Sequence, residues 1–269
     1  MKFTFKGTIA VIVGVIFIYT ACKKVDNAPA APKVASEQQV AGVIASDISA
    51  SLAGTYGGVT LKDGVKAPKT LSIKNNGPVV NSLNPLCGFT VDTTVSYHSN
   101  VNGVKSFVKG KFMFTYTCSA NSAFPDGYVV TTDLVSAGSA ATYSFVYAIA
   151  QHYTVQSLDP QDTLVSLDGT LKSFGDFKFK NGHHGLDTNY KPNPIFQHQS
   201  YVLTGLQIDI PAGLDIITGT ATFTTTGNNA FGIWTYHGTI TFIGGHKAII
   251  TLNGHQYLAD LTNGTITPI

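Results

Sequence analysis

The sequence predicts an all-β protein: a large antiparallel meander, either a sandwich or a rolled sheet, with one N-terminal amphipathic helix. Three observations predict it. Charged residues are only 12% of the chain, while the Thr, Val, Ile, Tyr and Phe that suit a pleated, half-buried surface are abundant. Apolar and polar residues alternate with period two in the long runs after residue 88, as in Tyr143, Phe145, Tyr147 and Ile149. Glycine-containing turn pairs, above all Asn253-Gly254, separate these runs as hairpins require.

The first element is a leader. Lys2 and Lys6 precede an apolar run from Ile9 to Ile18, and Tyr19-Thr20-Ala21 lead to Cys22. A charged n-region, a short h-region and a small residue before a cysteine describe a lipoprotein signal peptide over residues 1–21, cut before Cys22. An uncleaved membrane anchor would use the same run, but that run is well short of the roughly 20 residues that span a bilayer. Tyr19 stands three places before the cysteine, where an aliphatic residue is usual, and Ile18 lies one place too early. This looser lipobox resembles those of Bacteroidota lipoproteins. The resemblance implies a Cys22 carrying a diacylglycerol and an acylated amine, with palmitate-type chains in the bilayer as its partner. It also implies an address in the cell envelope at the outer membrane. Three acyl chains, at about 0.8 kcal/mol per buried methylene, make such an anchor effectively permanent.

Residues 22–35 hold Lys23, Lys24 and Lys33 with Pro29 and Pro32 and no apolar period, the composition of an extended tether. The helix follows, from about Ser36 to Ala53. Ser36 and Gln39 have capping-box spacing, and Val40, Ile44, Ile48 and Leu52, flanked by Val43, make one apolar stripe for packing on the sheet. Gly54 and Gly57-Gly58 stop it.

Strands are expected at 88–98, 105–118, 128–136, 141–156, 163–172, 201–210, 216–226, 231–243, 247–252 and 255–260. Nothing after residue 60 has the length and period of a crossover helix, which argues against a parallel sheet. Lys180 to Gln199, polar and proline-containing, is longer than usual connections. It marks a boundary between an N-terminal portion, residues 36–180, and a C-terminal β portion, residues 200–269, with 181–199 as a long loop. The run GTITFIGGHKAIITLNGHQYLADLTNGTI, residues 238–266, resembles the closing hairpins of uncharacterised Bacteroidota lipoproteins. The resemblance implies an envelope β protein and transfers no functional residue.

With Cys22 acylated, Cys87 and Cys118 remain as an even pair for an oxidising compartment. Cys87 shares its alternation phase with Val91 and Val95, and Cys118 shares its phase with Phe112 and Phe114, which puts both sulfurs on one apolar side and predicts a disulfide. Two buried free thiols would satisfy the same pattern.

Composition excludes several activities. Removing residues 1–21 takes away two Lys and no acid, leaving fifteen Lys against fifteen acids; a neutral domain has no electrostatic footprint for nucleic acid. The chain has no Arg, and Glu37 is its only Glu, so the bidentate fork for phosphate is missing. No glycine-rich loop opens a helix and no G-x-S-x-G elbow occurs, so no cofactor is expected.

Four constellations remain. His183, His184, Asp187 and His198 offer imidazole and carboxylate ligands around the long loop and would support a metal-dependent hydrolase, although solvated loop histidines explain the same letters. Trp234 and Tyr236 share a strand face beside Gly232 and Gly238, an arrangement that suits glycan stacking or, since Ile240 and Phe242 continue that face, core packing. Asp162-Thr163-Leu164 and Asp92-Thr93-Thr94 resemble a Bacteroidota O-glycosylation acceptor; Thr93 has the inward phase, which leaves Thr163. The aspartates Asp159, Asp162, Asp209 and Asp215 sit beside turns, where capping explains them. The reading that follows is a membrane-anchored envelope lipoprotein whose β domain binds a partner, such as a glycan or an envelope protein, or serves a structural role without catalysis.

Overall fold

The computed structural model describes residues 36–54, 56, 58, 61, 64–65, 87–101, 104–119, 125–139, 143–179, 195–229 and 232–269. Among the described residues one helix, α1 (Glu37–Leu52), precedes eleven strands: β1 (Thr90–Val101), β2 (Val104–Thr117), β3 (Gly127–Ser139), β4 (Tyr143–Ser157), β5 (Leu164–Phe179), β6 (Ile195–Asp209), β7 (Asp215–Asn229), β8 (Gly232–Gly244), β9 (Lys247–Leu252), β10 (His255–Asp260) and β11 (Ile266–Pro268). They form a single open sheet in which every strand pairs with its sequence neighbours, in the order β1 to β11, and all pairs are antiparallel. The all-β meander with one N-terminal helix is therefore the observed architecture.

The helix begins as its sequence requires. The Ser36 hydroxyl accepts from the Gln39 backbone N–H at 3.3 Å, and the Gln39 side chain accepts from the Ser36 N–H at 2.9 Å, which satisfies two donors that a helix N-terminus otherwise leaves unpaired. Gly54 follows in the left-handed region at φ 71° and ends it. At the β9–β10 turn Asn253 and Gly254 have φ 48° and 86°, the two positive values that a type I′ hairpin needs.

One face of the sheet holds the core. Phe112, Phe114, Tyr128, Val130, Tyr153, Val155, Leu171, Tyr201, Ile240 and Ile250 are all buried, and each alternates with outward residues. Fully burying such a side chain contributes about 1.5–3 kcal/mol. The helix goes beyond its expected stripe. Ala41, Gly42, Ala45, Asp47, Ala50 and Ser51 are buried along with Val40, Ile44, Ile48 and Leu52, and no residue from 40 to 52 is exposed. A helix buried this fully is enclosed rather than laid against one face. Its N-terminal end reaches β10 and β11 through Glu37 and Gln38, and Asp47 reaches β5 and β6. Beyond it Tyr56 packs on Phe145 and Tyr147 of β4.

The stretch expected to divide two sheets does not do so. β5 continues to Phe179 and β6 begins at Ile195, and the two pair from Leu164↔Asp209 to Phe177↔Ile195. The described sheet is continuous between them, and residues 195–199 are strand. Gly227 and Asn228, which fall between the expected strands 216–226 and 231–243, belong to β7, where Gly227 pairs with Trp234.

Strand glycines face aromatic rings across the inner face. A Cβ on Gly227 would lie 2.2 Å from the Trp234 ring, one on Gly138 2.6 Å from Phe145, one on Gly238 2.6 Å from Phe223 and one on Gly175 2.8 Å from Tyr147. At Gly227 and Gly138 the ring is the nearest neighbour, whereas at Gly175 and Gly238 the backbone oxygens of Val146 and Thr251, at 1.9 and 2.1 Å, stand closer still, so the ring and the adjacent strand both occupy the space. Glycine weakens a strand by itself, and here the ring lying over it restores the packing.

Candidate functional site

Inside the sheet, a polar belt crosses the core where α1 meets β5 and β6. The Asp47 carboxyl contacts the Tyr201 hydroxyl at 3.0 Å and the Ser173 hydroxyl at 3.4 Å, and Tyr201 also bonds the Gln199 side-chain oxygen. Burial pushes the Asp47 carboxyl up from 3.8 to about 6, against the pull of those two hydroxyls. Tyr201 has one hydroxyl hydrogen to give. That hydrogen is shared between the Asp47 carboxyl and the Gln199 side-chain oxygen. Thr132 donates to Gln151 at 3.2 Å in the same layer. The belt is enclosed, so it holds the helix in place rather than meeting a substrate.

At the helix N-terminus, Glu37 accepts from Asn253 at 2.9 Å, lies 2.7 Å from His255 Nδ1 and accepts from Tyr257 at 3.3 Å. These bonds lower its carboxyl from the usual value. The residues expected to form the tether lead directly into this cluster, which ties the start of the domain to its last hairpins.

Cys87 and Cys118 are joined, with their Cα atoms 5.7 Å apart, inside the range a disulfide spans. The aspartates beside turns cap them. Asp159 accepts from the backbone N–H groups of Gln161, Thr163 and Leu164 at 2.8, 3.0 and 2.6 Å, and those bonds with the Thr163 hydroxyl hold its carboxyl down at about 2. Asp215 likewise accepts from Gly245 and His246 at 2.8 and 2.7 Å. Asp209 accepts from Ala212 at 3.0 Å.

The other expected site residues are placed as follows. Cys22, His183, His184 and Asp187 lie outside the described residues. His198 is an outward residue of β6, its ring 5.8 Å from that of Phe174, and among the described residues no three His, Cys, Asp or Glu side chains cluster closely enough to hold a metal. Trp234 points into the core at 8% exposure with Gly227 under its ring, and Tyr236 is half-buried on the same face; the pair packs the interior and presents no open stacking surface. Thr163 is exposed, and its hydroxyl donates to Asp159 at 2.6 Å.

The outer face carries what the sequence reading passed over. Phe174 is 48% exposed, its ring lies 4.7 Å from that of Phe196 in an edge-to-face arrangement, and His198 completes the cluster. The signal was present, since Phe174 shares its phase with Lys172 and Asp176 on the solvent side, but the strand was expected to stop at Lys172. An open cavity of about 540 Å³ lies elsewhere on the sheet, between β1, β2 and β3, beside His98, Lys105 and Phe107.

Compared with protein-family models, with curated proteins and with solved structures, the chain matches none. Function therefore rests on the residues themselves.

Proposed function

We propose that this chain is a membrane-anchored cell-envelope lipoprotein, acylated at Cys22, whose antiparallel β domain serves a binding or structural role without catalysis. The observation that carries the reading is the division of labour among the three cysteines. One follows the leader, and the other two are paired with each other, as an oxidising compartment outside the cytoplasm permits. The polar groups of the domain support it too. Asp47, Asp159, Asp215 and Glu37 are occupied in holding a helix, two turns and a terminus, which leaves them no reacting partner. The test is acylation and fractionation in an expressing Gram-negative host. The wild-type chain should incorporate labelled palmitate and sediment with outer membranes, and Cys22→Ala should do neither; labelling that survives the substitution would refute the anchor.

Within the binding role, the exposed aromatic cluster of Phe174, Phe196 and His198 favours a glycan as the partner, because aromatic faces stack on the C–H faces of sugar rings. A metal-dependent hydrolase built on the 180–199 His/Asp segment is the competing enzyme reading, and metal analysis of the purified chain tests it. Stoichiometric zinc lost on His183→Ala would replace the binding role with that one.

A further inference from the structure

The outward faces of β6, β7 and β8 carry no Lys, Asp or Glu between Phe196 and Thr204, Thr220 and Asn228, and Ile233 and Thr241. Their outward residues run Phe196, His198, Ser200, Val202 and Thr204 on β6, then Thr220, Thr222, Thr224, Thr226 and Asn228 on β7, then Ile233, Thr235, His237, Thr239 and Thr241 on β8. The formal charges of the outer face surround this block: Asp92 of β1, Lys105, Lys109 and Lys111 of β2 and Asp133 of β3 lie farther off, Lys172 and Asp176 of β5 adjoin Ser200 and Phe196, and Lys247 of β9 and Asp260 of β10 lie beyond β8. A surface kept soluble by charge ordinarily mixes both signs across its whole area. Here a block of three strands presents hydroxyls instead.

The strand register makes these residues a grid. Thr204, Thr220 and Thr241 form one row, Val202, Thr222 and Thr239 the next, then Ser200, Thr224 and His237, then His198, Thr226 and Thr235. Neighbouring rows are about 7 Å apart along the strands and neighbouring strands about 4.8 Å apart. Cross-strand bonds steady the polar groups, with Thr224 3.0 Å from His237 Nδ1 and Thr226 3.2 Å from Thr235. A hydroxyl has one hydrogen and two acceptor lone pairs, so a single cross-strand bond leaves each of these groups further bonding capacity. At one end of the grid stand the rings of Phe174 and Phe196, with Ile233 75% exposed in the same row as Phe196 and Asn228.

We propose that this face binds a neutral glycan chain, with Phe174 as the stacking platform and the hydroxyl, amide and imidazole groups of β6, β7 and β8 bonding to the sugar hydroxyls. The inference rests on the binding role proposed above and gives it a site. The chemistry selects the ligand. Edge-to-face aromatics supply an apolar surface for a pyranose face, side-chain hydroxyls both donate and accept as sugar hydroxyls do, and the β6 to β8 rows carry no formal charge while Lys172 and Asp176 on either side of Phe174 cancel, so an acidic polysaccharide gains no net attraction.

The test uses the full-length chain in mild detergent, with affinity electrophoresis through gels containing hydroxyethylcellulose, laminarin, xylan or the acidic polymer alginate. Wild-type protein should be retarded by at least one of the neutral polymers and not by alginate. Phe174→Ala and Thr224→Lys should each weaken retardation about tenfold, the loss of one stacking contact or of the hydroxyl grid. Phe107→Ala, which removes an exposed ring from β2, outside this block, should leave it unchanged. Absence of retardation by all neutral polymers, retardation by alginate alone, or equal loss in Phe107→Ala would overturn the proposal. So would a homodimer that Phe174→Ala dissociates, since the face would then be occupied by a second copy. Palmitate labelling of Cys22 in the same preparation is read separately, so the site can fail while the anchored reading stands.

Discussion

The Asp47 carboxyl on α1 lies 3.0 Å from the Tyr201 hydroxyl on β6, joining residues 154 positions apart in the chain. It is the one carboxyl among the described residues that the core takes in with only hydroxyl partners, and that fact has consequences for stability.

Asp47 should make the fold less stable as pH rises. Its folded pKa is about 6 against an ordinary 3.8, so between those values the folded chain keeps a proton that the unfolded chain has released. Stability from this group is full below about pH 4, falls as pH climbs to about 6 and stays at the lower level above. The whole change is about 3 kcal/mol. Asp47→Asn keeps the shape and the hydrogen bonds without the charge. Urea unfolding at pH 4.5 and pH 8 should show the variant gaining on wild type by about 1–3 kcal/mol at the higher pH; parallel curves would mean that Asp47 is not buried as described.

Glu37 titrates in the opposite sense. Its bonds to Asn253 and His255 hold its carboxyl below the ordinary 4.5, so the stability it contributes is present above that value and is lost as pH falls through the folded one. The cluster is partly open to water, which limits the contribution to about 1 kcal/mol or less. Glu37→Ala should therefore leave global unfolding nearly unchanged while amide exchange in the first turn of α1 quickens. Unaltered exchange there would show that the capping box holds the turn unaided.

Gly227→Ala should displace the Trp234 ring. The new Cβ would stand 2.2 Å from the ring, and overpacking of this kind costs about 1–3 kcal/mol. Trp234 is the only tryptophan, so its fluorescence reports the event directly: the expected result is a red-shifted emission with a lower urea midpoint. Emission identical to wild type would place the ring elsewhere.

Reducing the Cys87–Cys118 bond releases a loop with a sequence separation of 31. In the chain-entropy treatment that loop is worth about 3.5–4 kcal/mol. The Cys87→Ser/Cys118→Ser chain should unfold at correspondingly lower urea and lose all sensitivity to dithiothreitol. A residual reductant effect in that variant would point to a different thiol.

Strands, turns and the paired cysteines were legible because each is written within a few residues. Alternation in Tyr143, Phe145 and Tyr147 needs only the pleat, the Asn253-Gly254 turn needs only positive φ, and the Ser36–Gln39 box needs only one helical turn. The longest misreading followed from the same locality. Polar letters around residue 198 read as loop, whereas pairing with β5 makes them strand.

What the sequence determined by itself was therefore the class of fold, the inner and outer phase of its strands and the ends of its helix, since a period of two and a local cap depend on covalent geometry and neighbouring side chains. Only the tertiary structure decided that one sheet continues between β5 and β6, that α1 is buried on every side and meets β5, β6, β9, β10 and β11, that Asp47 meets Tyr201, and that uncharged residues of three strands lie together beside Phe174. The physical reason is register. Which residues of separate strands stand side by side depends on turn lengths and on bulges such as those at Leu167/Gly169 and Thr204/Gln207, and on how the sheet packs around its helix; no window of a few residues contains that information.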